Sequence, residues 1–211
     1  TGNADERSGS ERIRREASGF LPRSPLAYVV SEPSGGEEGD RPSGGDAYLG
    51  ATPAVTVRPA DRADLLDVLR IERESFSDPW PYAAFESVLD APAFLVAVGP
   101  GVDGDDTLLG YVVGDVMPNH GRDIGHIKDL AVRPDARGEG VGRRLLREAL
   151  FGLALAGAAV VKLEVREGND AARSLYRDEG FEPTRRVPRY YGDGEDALIL
   201  VVDVEAWHAS E

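Results

Sequence analysis

Apolar positions along this chain recur first at every second residue and then at every third or fourth, and each change of period marks a new element. "AVTVRP" (54–59) alternates like a short strand. Asp61 and Asp64 stand where they can cap a helix in which Leu65, Val68, Leu69 and Glu72 share one face. Pro79 and Pro81 break that helix, and a second amphipathic one starts at about Tyr82. "AFLVAVG" (93–99) and "LLGYVVGDVM" (108–117) read as neighbouring antiparallel strands around the polar turn "PGVDGDDT". "GHIKDLAVRP" (125–134) is a further strand, followed by a glycine turn and a helix with Val141, Leu145, Ala149 and Leu153 four residues apart. "AVVKLEVR" (159–166) sets Val161, Leu163 and Val165 on one face and Lys162, Glu164 and Arg166 on the other. "NDAARSLYRDEGF" is a helix capped by Asn169 and stopped by Gly180, and "DALILVVDV" (196–204) is the last strand. The pattern predicts an α/β domain, a mixed sheet with helices packed on it.

Residues 1–50 carry no such period; their glycine pairs, Ser, Pro and mixed charge predict a disordered Gly/Ser-rich tail, with the folded domain over 51–211. The chain has 211 residues and a net charge of −14, which argues against nucleic acid as a partner, since phosphate binding needs clustered Lys and Arg. Lysine occurs only at Lys128 and Lys162 against 38 acidic residues, a surface that suits concentrated salt or merely a GC-rich coding sequence. The absence of cysteine excludes disulfides, thiolate metal ligands and a Cys nucleophile. With no long apolar run and no signal-peptide pattern, no membrane association is expected and the cytoplasm is the expected location.

"RGEGVGRRLL" (137–146) raises the question of an anion site. It lacks the lysine of a nucleotide P-loop, and Arg143 occupies the third glycine position of a dinucleotide fingerprint. What remains is R-x-x-G-x-G at a strand-to-helix turn, where free N–H groups and the helix dipole suit a pyrophosphate. An ordinary helix start is the plain alternative.

Arg137, Gly140 and Gly142 after "DLAVRP" resemble the acetyl-CoA-binding motif of the GNAT acetyltransferase superfamily. "FSDPWPYAAF", "LEVREGNDAARSLYRDEGF" and "RYYGDGEDALIL" are similar to its RimI-type branch, its archaeal members above all, over roughly residues 54–206. The resemblance implies a GNAT fold: a mixed, mostly antiparallel sheet, splayed at the acetyl-CoA site, with helices on both faces. It implies an enzyme that transfers an acetyl group from acetyl-CoA to the α-amino group of protein N-termini by direct attack, without an acyl-enzyme. A ribosomal protein is one expected substrate, and a partner subunit is a further expectation. The competing readings are a lysine or small-amine acetyltransferase and, from another class, a non-catalytic acyl-CoA-binding module.

The resemblance also assigns residues. Leu130, Ala131 and Val132 would hold the pantetheine arm like a neighbouring strand, and Arg137, Gly138, Glu139, Gly140, Val141, Gly142 and Arg143 would hold the pyrophosphate. Asn169 and Tyr176 would contact the rest of the CoA arm. Glu164 would be the base and Tyr176 the acid for the departing thiolate, with His126 flanking the amine on a face shared with Lys128, Leu130 and Val132. Without the resemblance, Glu164 reads as a surface charge paired with Lys162 or Arg166, Tyr176 as a core ring on Ala172, His126 as a structural histidine of its strand, and Asn169 as a helix cap alone. Phe76, Pro79, Trp80 and Tyr82 on one side and Tyr190 and Tyr191 on the other would clasp the substrate peptide. The plain alternatives are a hydrophobic staple and a turn with exposed rings. The acidic "YYGDGEDA" loop is closer to the archaeal enzymes of broad specificity. His120 and His208 have no ligand spacing with His126, so no metal site is expected.

Overall fold

The computed structural model describes residues 55–100 and 106–209; the expected tail and the middle of the "PGVDGDDT" turn lie outside them. Strand β1 (Thr56–Pro59) leads through a 3₁₀ turn into helix α1 (Leu65–Ser75), followed by the short helix α2 (Tyr82–Glu86). Strands β2 (Leu95–Pro100), β3 (Asp106–Met117) and β4 (Asp123–Val132) come next, then helix α3 (Val141–Leu155). Strand β5 (Ala158–Arg166), helix α4 (Asp170–Asp178), strands β6 (Glu182–Val187) and β7 (Ala197–Asp203) and helix α5 (Val204–His208) complete the order. The seven strands form one sheet in the order β1-β2-β3-β4-β5-β7-β6, antiparallel everywhere except between β4 and β5.

The predicted caps form. Asp61 accepts a hydrogen bond from Ala63 N while the Asp64 carboxylate accepts from Asp61 N, so two donors at the start of the first helical stretch are satisfied. Asn169 accepts from Ala172 N at 3.1 Å and starts α4. β6 and α5 had no sequence signal: β6 is an exposed polar edge strand without alternation, and α5 is a single turn capped by Asp203.

Helices cover both faces of the sheet. α3 buries Val141, Leu145, Ala149 and Leu153 on one face, in a core shared with Val161, Leu163 and Val165 of β5 and with Ala172, Tyr176 and Trp207. α1 and α2 bury Leu65, Val68, Ile71 and Phe85 on the other face, against Phe94, Val96, Tyr111 and Val113. Each large apolar side chain taken out of water contributes about 1.5–3 kcal/mol, so these two layers fix the sheet between them. α3 lies so close to the preceding loop that a Cβ at Gly152 would come within 2.8 Å of the Pro92 carbonyl oxygen.

Candidate active site

The parallel pair at the centre of the sheet is only half a pair. β4 pairs with β5 from Asp123 to Ile127, and the pairing stops there, although β4 continues beside β3 to Val132. Among the described residues, therefore, no strand lies across from the backbone edge of Lys128–Val132, and this edge runs into the glycine turn. Backbone polar groups seek partners, so such an edge is suited to an extended amide-bearing chain.

At the turn, Gly140 takes a left-handed conformation with φ of 81°, which glycine adopts without steric cost. α3 starts at the next residue, and the first N–H groups of a helix have no carbonyl one turn earlier to bond. Gly138 and Gly140 have open space where a side chain would stand. The donors, the dipole and the room all fit a pyrophosphate. Arg137 turns back, its Nε donating to Val132 O at 2.9 Å and closing the end of β4.

His126 and Glu164 meet on the sheet face opposite α3. Glu164 Oε2 lies 2.6 Å from His126 Nε2, and Lys162 Nζ donates to Glu164 Oε1 at 3.2 Å. All three side chains are buried, so the predicted polar face of β5 is an interior ion cluster rather than a solvated surface. Burial alone would raise the Glu164 pKa, but the His126 hydrogen bond and the charges of His126 and Lys162 outweigh it and hold the carboxyl below its ordinary range. His126 Nδ1 has no hydrogen-bond partner among the described residues.

The expected common face of His126, Lys128, Leu130 and Val132 does not exist. A β-bulge falls between Ile127 and Asp129, which pair with Gly114 and Val113, so Lys128 is the extra residue and the alternation reverses there. Leu130 and Val132 consequently enter the core on the α3 side. Asp129 and Ala131 share the face of His126, and Lys128 reaches Asp115 at 3.5 Å.

The proposed walls stand on that same face. Phe76, Trp80 and Tyr82 pack half-buried on the α1–α2 core, with the Trp80 and Phe85 ring centroids 5.4 Å apart; Pro79 is exposed between them. The loop is fastened from below, because Glu72 Oε1 accepts from Trp80 N at 2.7 Å. Opposite, Tyr191 is buried and Tyr190 half-buried, their centroids 5.1 Å apart, so this is no turn with two exposed rings. Arg166 lies over the Tyr191 ring at 4.0 Å and pairs with Asp193 and Glu195 at 2.7 Å each, holding the acidic loop against the end of β5. Burial raises the Tyr191 pKa, and the nearby Glu164 charge adds to the rise.

This geometry has relatives. Residues 65–181 match the model of the acetyltransferase (GNAT) family. The chain belongs to this family. Among the GNAT proteins it resembles, the N-alpha-acetyltransferase RimI of Mycobacterium tuberculosis is 38% identical over 156 residues, 71% of this chain and 92% of the relative. An N-alpha-acetyltransferase of Sulfolobus acidocaldarius is 34% identical over 159 residues, 68% and 89% of the two chains. In structure, the ribosomal-protein-S18-alanine N-acetyltransferase of Escherichia coli aligns with a TM-score of 0.61 at 27% identity, over 72% of this chain and 94% of its own. The GNAT architecture expected from the sequence, an open and mostly antiparallel sheet with helices, is the architecture found.

Two GNAT-motif residues stand in other company than the resemblance implied. Arg143 forms ion pairs with Asp178 at 2.8 Å and Glu179 at 3.0 Å, so its guanidinium bridges α3 to α4 rather than lying free at the turn. Tyr176 is buried on the α3 side, edge-on to Phe181 with centroids 5.7 Å apart, in the same core as Ala172. The core role read for it is present, and its ring is on the other face of the sheet from Glu164. Asn169 is the helix cap. Among the described residues, no three His, Asp or Glu side chains gather as a metal-ligand set, and no helix is long and apolar enough to cross a membrane.

Sequence reasoning missed a second buried polar group. The Tyr111 hydroxyl bonds both Glu72 Oε2 and Asp129 Oδ2, the latter at 2.7 Å, and all three residues are buried. Burial is the main cause that pushes the Glu72 and Asp129 carboxyls up from their ordinary range, Asp129 the further of the two. The available signal was an acidic residue inside the apolar run "KDLAV" and Glu72 on the apolar face of α1.

Proposed function

We propose that this protein acetylates the α-amino group of protein N-termini, with acetyl-CoA as donor, and that the His126–Glu164 pair manages the amine proton. The single observation that carries the reading is the position of that pair, buried on β4 and β5 at the place where the two strands part. The unpaired edge Lys128–Val132 and the turn Gly138–Arg143 lead to the same place, which supports a linear donor with a diphosphate at one end and its thioester at the other.

Acetyl-CoA supplies an activated thioester carbonyl. The amine nitrogen attacks that carbon, the C–N bond forms as the C–S bond breaks, and no acyl-enzyme intervenes. An α-amine has a pKa near ~8, so at neutral pH only one proton of modest acidity stands in the way. Glu164, ionised there, accepts it, and His126, whose Nδ1 has no partner among the described residues, relays it from the amine or a water. The backbone N–H groups of the free edge stabilise the oxyanion; Tyr176, from the α3-side core, would protonate the thiolate through the gap where β4 and β5 part and regain its proton from solvent, while the second proton of the nitrogen leaves by the same His126–Glu164 route. The Trp80 and Tyr191 walls favour an extended peptide over a compact polyamine. The N-terminus of a ribosomal protein is the proposed class of substrate, in the cytoplasm, and a partner subunit would act by presenting it.

Thiol release from acetyl-CoA tests this with three acceptors: a short peptide, the same peptide with its α-amine blocked, and a polyamine. Turnover with the free peptide alone is expected. Equal turnover with the blocked peptide, or faster turnover with the polyamine, overturns the reading.

A further inference from the structure

The side chains of Glu72, Tyr111 and Asp129 have no part in the proton transfers proposed above, yet they are buried beside them, Asp129 on the free edge of β4 itself. Tyr111 has one hydroxyl hydrogen and lies within hydrogen-bonding distance of two carboxyls, so it donates to only one. The other carboxyl must bring its own proton and donate to the phenol oxygen. Glu72 is the acceptor end, because its second oxygen already receives Trp80 N–H at 2.7 Å. Asp129 is the donor end: its Oδ1 has no partner among the described residues, and it is fully walled in. The order is therefore Asp129 Oδ2–H to Tyr111 Oη, Tyr111 Oη–H to Glu72 Oε2, and Trp80 N–H to Glu72 Oε1.

This chain of hydrogen bonds joins two parts of the site. One end is on β4, three residues past His126 and on the same face because of the bulge at Lys128. The other end is the backbone of the loop Phe76–Pro81. Tyr111 also packs edge-on to Phe85 with centroids 5.5 Å apart, and Phe85 packs on Trp80, so an aromatic stack runs parallel to the hydrogen-bonded chain. We propose that Glu72 is a positioning residue for the acceptor peptide: through Tyr111 and Asp129 it sets the distance between the Trp80 loop and the reacting end of β4. The proposal rests on the reading of that loop as a wall of the peptide site. It assigns Glu72 no contact with substrate and Asp129 no catalytic charge.

Two variants test it with the full chain and a free-N-terminus peptide. Glu72→Leu keeps the volume but removes the acceptor of Trp80 N–H; peptide KM should rise about tenfold, the scale of one lost charged hydrogen bond, with acetyl-CoA KM within about twofold. Glu72→Gln keeps that acceptor and should recover most of the loss. Peptide KM unchanged in Glu72→Leu, both KM values rising together, or no recovery in Glu72→Gln overturns the proposal. Native-state hydrogen exchange on wild type decides it even if Glu72→Leu does not fold: the Trp80 amide should be protected as strongly as β3 amides, and exchange at the rate of exposed loop amides overturns it. A wild type that leaves peptide N-termini unlabelled refutes the functional reading, whereas N-terminal labelling insensitive to Glu72→Leu refutes this proposal alone.

Discussion

Replacing Glu164 by Gln removes one charge and changes almost nothing in shape. The carboxylate it replaces sits between His126 at 2.6 Å and Lys162 at 3.2 Å, with its side chain 3% exposed. The amide oxygen can still accept from Lys162. The amide nitrogen, however, presents hydrogens to His126 Nε2, so that nitrogen must become an acceptor and the histidine must carry its proton on Nδ1. The proposed relay, which needs Nδ1 as a proton acceptor, is then blocked. A general acid–base contribution is worth about 10²–10⁴ in rate, so kcat should fall by that factor while acetyl-CoA KM stays within about twofold. Stability falls too, because the buried Lys162 ammonium exchanges a carboxylate for a neutral amide oxygen, a change worth less than the roughly 3–5 kcal/mol of a fully broken buried pair.

The sign of the pH dependence follows from the lowered Glu164 pKa. A carboxyl held below its ordinary value contributes stability that is fully present above the ordinary glutamate value of 4.5 and is lost as pH falls through the folded value. The melting-temperature gap between wild type and Glu164→Gln should therefore be constant at neutral pH and close below about pH 4.5. Because Glu164 is already ionised near neutrality, the rise of rate with pH belongs to the substrate amine, so the mutation should lower the plateau without moving its midpoint. Steady-state kinetics from pH 6 to 9 and thermal melts from pH 3 to 8 provide the assay, ranges of about these widths being enough to bracket both groups. A folded Glu164→Gln enzyme with kcat within about threefold of wild type refutes the assignment of the base.

Other substitutions test other parts of the account. Gly142→Glu puts a carboxylate where the first turn of α3 is expected to meet a diphosphate; the stabilisation by acetyl-CoA, about 2.7 kcal/mol at a hundredfold excess over Kd, should vanish from thermal melts. Tyr176→Phe keeps the edge-on packing with Phe181, so the fold should survive while thiolate departure slows; a thioester with a better leaving group should restore part of kcat here and little in Glu164→Gln. Gly152→Ala drives a methyl group into the Pro92 carbonyl at 2.8 Å and should cost about 1–3 kcal/mol of stability in denaturant melts, with acetyl-CoA KM unchanged.

What could be read from the chain ahead of the structure was whatever is encoded locally. The caps at Asp61 and Asn169, the α3 stripe from Val141 to Leu153 and the glycine turn each depend on a few adjacent residues, and they formed as expected. The bulge at Lys128 was not legible, because its register is set by β3, a partner that no local period reveals. That one residue moved Leu130 and Val132 off the face of His126 and brought Asp129 onto it. Burial of the polar side of β5 was equally hidden: Lys162 and Glu164 alternate with Val161, Leu163 and Val165 as any half-exposed strand would, and only the folded molecule, with Tyr191 near enough to feel the Glu164 charge, shows that side to be interior. Arg143 was assigned from its motif, whereas its partners Asp178 and Glu179 are 35 and 36 residues further along.

The claim on which the rest depends is that the acetyl group goes to an α-amine. A single peptide with a free N-terminus and one internal lysine, incubated with the protein and isotopically labelled acetyl-CoA, puts both amines in one tube at equal concentration. Tandem mass spectrometry should find the label on the N-terminal residue, with that signal falling by about the kcat ratio in Glu164→Gln. Label on the lysine side chain alone, or N-terminal label that Glu164→Gln leaves undiminished, contradicts the account.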